Sequence, residues 1–170
     1  MALGDTVRKE PAFILDTTGS MAEPVTPGSM MSKAALAEQI TRILVHDLGS
    51  EDSQGTDEKD GGGLSTVLFA DGIASEVGDL NDANFDQKWR KIKWGGGTYI
   101  APAFELVEEN FKEEFGHLPE GARPTLALGI ITDGALSDLN AATNWLHNVS
   151  GGTYVYVVVV CSGMEHDRAV

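Results

Sequence analysis

The run Asp16-Thr17-Thr18-Gly19-Ser20 carries a carboxylate and two hydroxyls at positions i, i+2 and i+4, directly after the apolar stretch Phe13-Ile14-Leu15. Three oxygen donors therefore stand where a strand should give way to a loop. Small hard cations such as Mg²⁺ and Mn²⁺ take about six oxygens near ~2.1 Å and have little use for sulfur. Asp16, Thr18 and Ser20 cannot fill that shell alone, so other loops must contribute. Two segments offer further oxygens: Gly95-Gly96-Gly97-Thr98, just ahead of a predicted helix, and Ile130-Ile131-Thr132-Asp133-Gly134, at the end of another apolar run.

D-x-T-x-S, then G-G-G-T, then T-D-G, in that order, resembles the von Willebrand factor type A (integrin I-type) domain over Pro11 to Ser162. In that family the three segments form the metal-ion-dependent adhesion site. The resemblance implies that Thr18, Ser20 and Thr98 offer hydroxyl oxygens to one Mg²⁺ or Mn²⁺, with Ca²⁺ a further candidate, while Asp16 and Asp133 act largely through bound waters. A cation held mainly by neutral oxygens keeps most of its charge and stays a strong acceptor for a carboxylate. The implied function is non-enzymatic: a partner protein supplies an Asp or Glu to the metal, as in cell adhesion. Three glycines before Thr98 give the backbone freedom that a movable ligand loop needs.

Other readings of the same residues remain. Singly, Asp16 is a loop residue or helix cap, Thr18 and Ser20 are turn hydroxyls, and Asp133-Gly134 is a turn dipeptide. Asp16-Thr17-Thr18-Gly19-Ser20 also looks like the phosphorylation motif of haloacid-dehalogenase-type phosphotransferases, with Asp16 as nucleophile and Asp133 and Asp138 as a loose echo of their second acidic motif. That reading lacks a lysine with a matching motif and leaves G-G-G-T unexplained. A third reading is an interaction or structural module whose metal site is vestigial. Zinc is not expected, because His46, His117, His147 and His166 lack ligand spacing. Neither glycine triplet has the lysine of a phosphate loop, and no G-x-S-x-G elbow occurs.

The 170 residues fit one domain, 1–170, with its core between 11 and 162. Twenty-six acidic against twelve basic residues give a net charge of −14, which disfavours nucleic acid and anionic membranes as partners. A lone cysteine, Cys161, excludes an intrachain disulfide. No apolar run reaches the ~18 residues of a membrane span, and no leader pattern opens the chain. Together these make a cytoplasmic, intracellular setting the expectation.

The elements that must position the site follow from periodicity. Ser32 can cap a helix carrying Leu36, Ile40, Ile43, Leu44 and Leu48, with Gly49 as its stop. Residues 50–63 read as a flexible acidic loop. Leu64 to Ala70 and Ile73 to Val77 flank Asp71-Gly72, which predicts a tight hairpin and one antiparallel edge strand. Phe85, Trp89 and Ile92 mark a short helix, and Phe104, Val107, Phe111 and Phe115 a longer one starting near Pro102. Thr125 to Thr132 is a strand, Ser137 a cap for the helix with Ala142, Trp145, Leu146 and Val149, and Thr153 to Cys161 a buried strand. The fold class is thus α/β: a doubly wound, mostly parallel sheet with helices on both faces and ligands beyond the strands' carboxyl ends. Relatives of this type continue with a further helix, strand and helix. A truncated C-terminal end is therefore expected, with self-association or another subunit covering the open sheet edge.

Overall fold

Near-continuous apolar runs such as Phe13-Ile14-Leu15 and Leu126 to Ile131 cannot present a polar face, so they form strands covered on both sides. The computed structural model describes residues 9–49, 63–133, 136–150 and 155–161. In chain order these form β1 (Lys9–Asp16), α1 (Lys33–Gly49), β2 (Leu64–Ala70), β3 (Ile73–Leu80), α2 (Phe85–Trp89), α3 (Ala101–Phe115), β4 (Thr125–Thr132), α4 (Leu139–Ser150) and β5 (Val155–Cys161). One five-stranded sheet runs β3-β2-β1-β4-β5. Every pairing is parallel except β2 with β3. The α/β architecture expected from the sequence, with its single antiparallel edge strand, is present.

The hairpin shows why β3 is antiparallel. Asp71 and Gly72 both have positive φ, 52° and 72°, the mirror-image turn that matches strand twist and that Asp-Gly tolerates. On one face of the sheet, Ala12, Ile14, Val67 and Leu128 pack with Ala103, Phe104 and Val107 of α3 and Ala142 of α4. On the other, Phe13, Leu15 and Ile131 pack with Ala37 and Val45 of α1 and Phe85 and Trp89 of α2. Trp94, partly buried, packs against this second cluster and against Trp89.

Two sequence expectations are corrected. The fully buried stripe of α1 is Ala37, Thr41 and Val45; of the expected residues Ile40 and Leu44 pack partly buried against the core, while Ile43 and Leu48 are exposed. Two apolar stripes lie side by side on this helix, and the smaller residues let it sit close to the sheet; Thr41 satisfies its hydroxyl on the Ala37 carbonyl at 2.7 Å. The residue directly ahead of α4 is Asp138, not Ser137, and its carbonyl accepts the Ala142 N–H.

Residues 50–62 of the expected acidic loop 50–63 lie outside the described residues, as do Gly134 and the residues after 161, where the truncated end is expected. Among the described residues no helix is long and apolar enough to cross a membrane.

Candidate metal centre

β1 and β4 are neighbours, yet the chain leaves β1 through α1 toward β2 and reaches β4 on the other side only through α3. Their carboxyl ends therefore form the switch point where open α/β sheets bind ligands. Asp16 is the last residue of β1 and Thr132 the last of β4. Asp16 is fully buried and both of its carboxylate oxygens are occupied. Oδ1 accepts the Thr18 N–H at 2.9 Å and the Thr18 hydroxyl at 2.5 Å; Oδ2 accepts the Thr132 hydroxyl at 2.7 Å. Burial pushes the Asp16 carboxyl above its ordinary range, against the Thr18 and Thr132 hydrogen bonds that pull it down.

A hydroxyl that donates its proton to a carboxylate turns its lone pairs elsewhere. Thr18 is in that state, and its Oγ1 lies 3.2 Å from the Ser20 Oγ. Two oxygens at right angles on an ion with ~2.1 Å bonds would sit about 3 Å apart. The 3.2 Å separation thus suits adjacent ligands of a small cation. A 3-10 turn over Gly19–Ala22 sets this spacing, anchored by the fully buried Met21.

The Gly95-Gly96-Gly97 segment lies against this loop through main-chain bonds: Gly95 N–H to the Thr17 carbonyl at 2.8 Å and Gly19 N–H to the Gly96 carbonyl at 3.3 Å. Its other side is gripped by the hairpin turn. The Asp71 N–H donates to the Gly97 carbonyl at 2.8 Å, and the Asp71 carboxylate accepts the Gly97 N–H. A Cβ on Gly96 would collide with that carboxylate unless Asp71 moved, and the φ of +90° favours glycine whatever the space. Thr98, 8 % exposed, follows, and its carbonyl accepts the Ser137 N–H at 2.7 Å. Asp138 then caps α3 from across the fold, accepting the Ile100 and Ala101 N–H groups at 2.9 and 2.8 Å.

Asp133, one residue past β4, forms an ion pair with Lys33 at 3.3 Å. Lys33 also pairs with Glu23 at 3.3 Å. Burial disfavours the Lys33 charge, but Glu23 and Asp133 outweigh it and hold the ammonium above its usual range.

Asp16, Thr18 and Ser20 thus form one hydrogen-bonded cluster, with the loop of Thr98 bonded to their backbone. Asp133 adjoins it, its charge acting on Asp16. The donors are hydroxyls and carboxylates, a set that could hold Mg²⁺ or Mn²⁺. Among the described residues no three His, Cys, Asp or Glu side chains make a metal cage, so hydroxyls would have to carry the coordination. Four participants escaped the sequence reading of the site. Thr132 lies within the T-D-G segment but matches the end of a strand, Asp71 matches a turn, and Asp138 only echoes an acidic motif. Lys33, 100 residues from Asp133, gives no local signal.

No family model and no curated protein matches the sequence. Solved structures match its fold. Manganese-loaded TRAP protein of Plasmodium vivax is 14% identical with a TM-score of 0.58, over 96% of this chain and 61% of that one. The conserved hypothetical protein BatB of Bacteroides thetaiotaomicron is 18% identical with a TM-score of 0.54, over 89% and 65%. The vWF domain of the type V pili tip protein Mfa5 of Porphyromonas gingivalis is 15% identical with a TM-score of 0.50, over 78% and 40%. The chain spans less than two thirds of the length of each. At such identities the likeness is one of backbone: this chain has the von Willebrand factor type A fold.

Proposed function

We propose that this chain is a protein-interaction module of the adhesion type in which Asp16, Thr18, Ser20, Thr98 and Asp133 hold one divalent cation, Mg²⁺ or Mn²⁺. The observation that carries the reading is the buried Asp16 carboxylate at the sheet's switch point, hydrogen-bonded so that the Thr18 and Ser20 oxygens sit at the spacing of adjacent ligands. Thr132 and the Thr18 N–H orient Asp16, and Asp16 in turn orients the Thr18 hydroxyl. When bound, the cation would supply a coordination position for an Asp or Glu carboxylate from a partner protein. The manganese-loaded state of the TRAP structure supports a divalent ion on this fold.

The segments that carry the site also expose apolar surface. Ile73 follows the hairpin turn, Tyr99 follows Thr98 and Leu139 follows Asp138, and all three are exposed. A protein partner would bury such residues around a central polar contact. For a phosphotransferase, Lys33 beside Asp133 supplies in space the lysine missing from the motif pattern. Against that stands Asp16, fully buried and held in place by three hydrogen bonds from Thr18 and Thr132, whereas in-line attack needs a carboxylate oxygen that a substrate phosphate can reach.

Calorimetric titration of the metal-stripped chain with Mg²⁺ and Mn²⁺ tests the proposal. One saturable site, lost in Asp16→Ala and weakened in Thr98→Ala by more than that variant loses in thermal stability, is the expected result. No heat up to millimolar metal, in the folded protein or in its Lys33→Gln variant, would overturn it. Turnover of a generic aryl phosphate, lost in Asp16→Asn, would favour the phosphotransferase instead.

A further inference from the structure

Lys33 is the first residue of α1, and the first turn of that helix contains no acidic residue. A cation there opposes the helix dipole, whose positive end lies at the N-terminus. The Lys33 side chain is also only 12 % exposed, although lysines are rarely buried without a partner. Helix formation therefore does not account for this placement. The loop before the helix does, because it is pinched shut. Pro24 and Ser32 form a β-bridge, the Val25 N–H bonds the Met31 carbonyl at 2.9 Å, and the Lys33 N–H bonds the Glu23 carbonyl at 2.9 Å. Closing this loop brings Lys33 back beside the Gly19–Ala22 turn, where its ammonium spans Glu23 and Asp133.

We infer that Lys33 is a built-in counter-cation of the site: its ammonium neutralises Asp133 in the metal-free protein and competes with the divalent ion for that carboxylate. The inference rests on the metal reading given above. A positive charge within about 4–6 Å of a carboxylate lowers its attraction for any further cation, and the Lys33 ammonium lies 3.3 Å from Asp133. Lys33 would thereby keep metal affinity low and make the empty site tolerable, since two neighbouring carboxylates would otherwise repel across a buried cluster. The site would load only where the ion is abundant or a partner's carboxylate adds to the attraction.

The test is calorimetric Mg²⁺ titration of the metal-stripped full chain, wild type against Lys33→Met, Lys33→Gln and Lys33→Arg, with thermal unfolding in EDTA beside it. The neutral variants should bind Mg²⁺ tighter, on the order of tenfold, while melting at a lower temperature in EDTA. Lys33→Arg keeps the charge and should stay within about twofold of wild type. A merely structural lysine would lower stability and metal affinity together. Neutral variants that bind Mg²⁺ no tighter than a wild type that does bind overturn the inference; Lys33→Gln serves if Lys33→Met does not fold. Absence of uptake in wild type and all variants is a different result, which overturns the metal reading and this inference with it. Uptake in the neutral variants but not in wild type supports both.

Discussion

Asp16 and its hydroxyl neighbours are fixed by side chains inside the fold, whereas Thr98 arrives on a loop of glycines that have no side chains with which to hold it. On the first arm, one buried carboxylate collects the Thr18 N–H, the Thr18 hydroxyl and the Thr132 hydroxyl. On the second, the grip is borrowed: Asp71 from the hairpin, Thr17 and Gly19 from the first arm, and Ser137 and Asp138 from the chain before α4. The difference teaches where rigidity and adjustment are stored. Buried charge-assisted hydrogen bonds stiffen a site, while a glycine loop tied at its edges can shift when those ties change.

The sharpest break of this contrast is Thr132→Val, which keeps side-chain shape and removes one donor from a buried carboxylate. It should cost about 2–3 kcal/mol in metal-free stability, read by denaturant unfolding. A negligible cost would mean that the first arm is no stiffer than the second. Gly96→Ala comes next, since its Cβ meets the Asp71 carboxylate and its φ of +90° suits glycine. A loss of about 1–2 kcal/mol is expected. In an Asp71→Ala background that loss should shrink to the backbone cost alone, about 1 kcal/mol. Full additivity would show that Asp71 does not clamp the loop.

The smallest effect should come from beneath the second arm, where α3 meets α4. Glu108 accepts bonds from Lys112 at 2.6 Å and from the Trp145 indole at 2.9 Å, beside the stacked Phe104–Trp145 pair. The Lys112 bond, helped by Trp145, holds the Glu108 carboxyl below its usual range. A depressed folded-state pKa gives stability that is present above the unfolded pKa and lost as pH falls through the folded one. Glu108→Gln should therefore cost a few tenths of a kcal/mol at neutral pH, because the pair is partly solvent-screened. In unfolding curves, the gap to wild type should close once pH falls below the usual carboxylate range; a gap that persisted there would show that charge is not its source.

Legibility followed the range of the forces involved. Asp16, Thr18 and Ser20 could be read because their spacing is local, and Asp71-Gly72 because a two-residue turn demands those residue types. Pro102 sits at the second position of α3, as a helix start favours. The face of α1 could not be read, since Ile43 and Leu48 match the helical period as well as Ala37, Thr41 and Val45 do. Only the sheet beneath decides which stripe is covered. Ser137 and Asp138 are equally good caps by residue type, so the choice for α4 was not legible; the helix starts after Asp138, whose carboxylate caps α3 instead.

By itself the sequence determined a doubly wound α/β sheet with an antiparallel edge, and the order of three oxygen-bearing segments at its loops. Hydrophobic period and turn chemistry act over a few residues and leave their mark in the string. The tertiary structure alone decided that Thr132 bonds Asp16 across 116 positions, that Asp71 grips the glycines, and that Lys33 sits on Asp133. Those contacts depend on which strands become neighbours and on where a pinched loop returns the chain, and no residue type or spacing encodes a distance closed by folding.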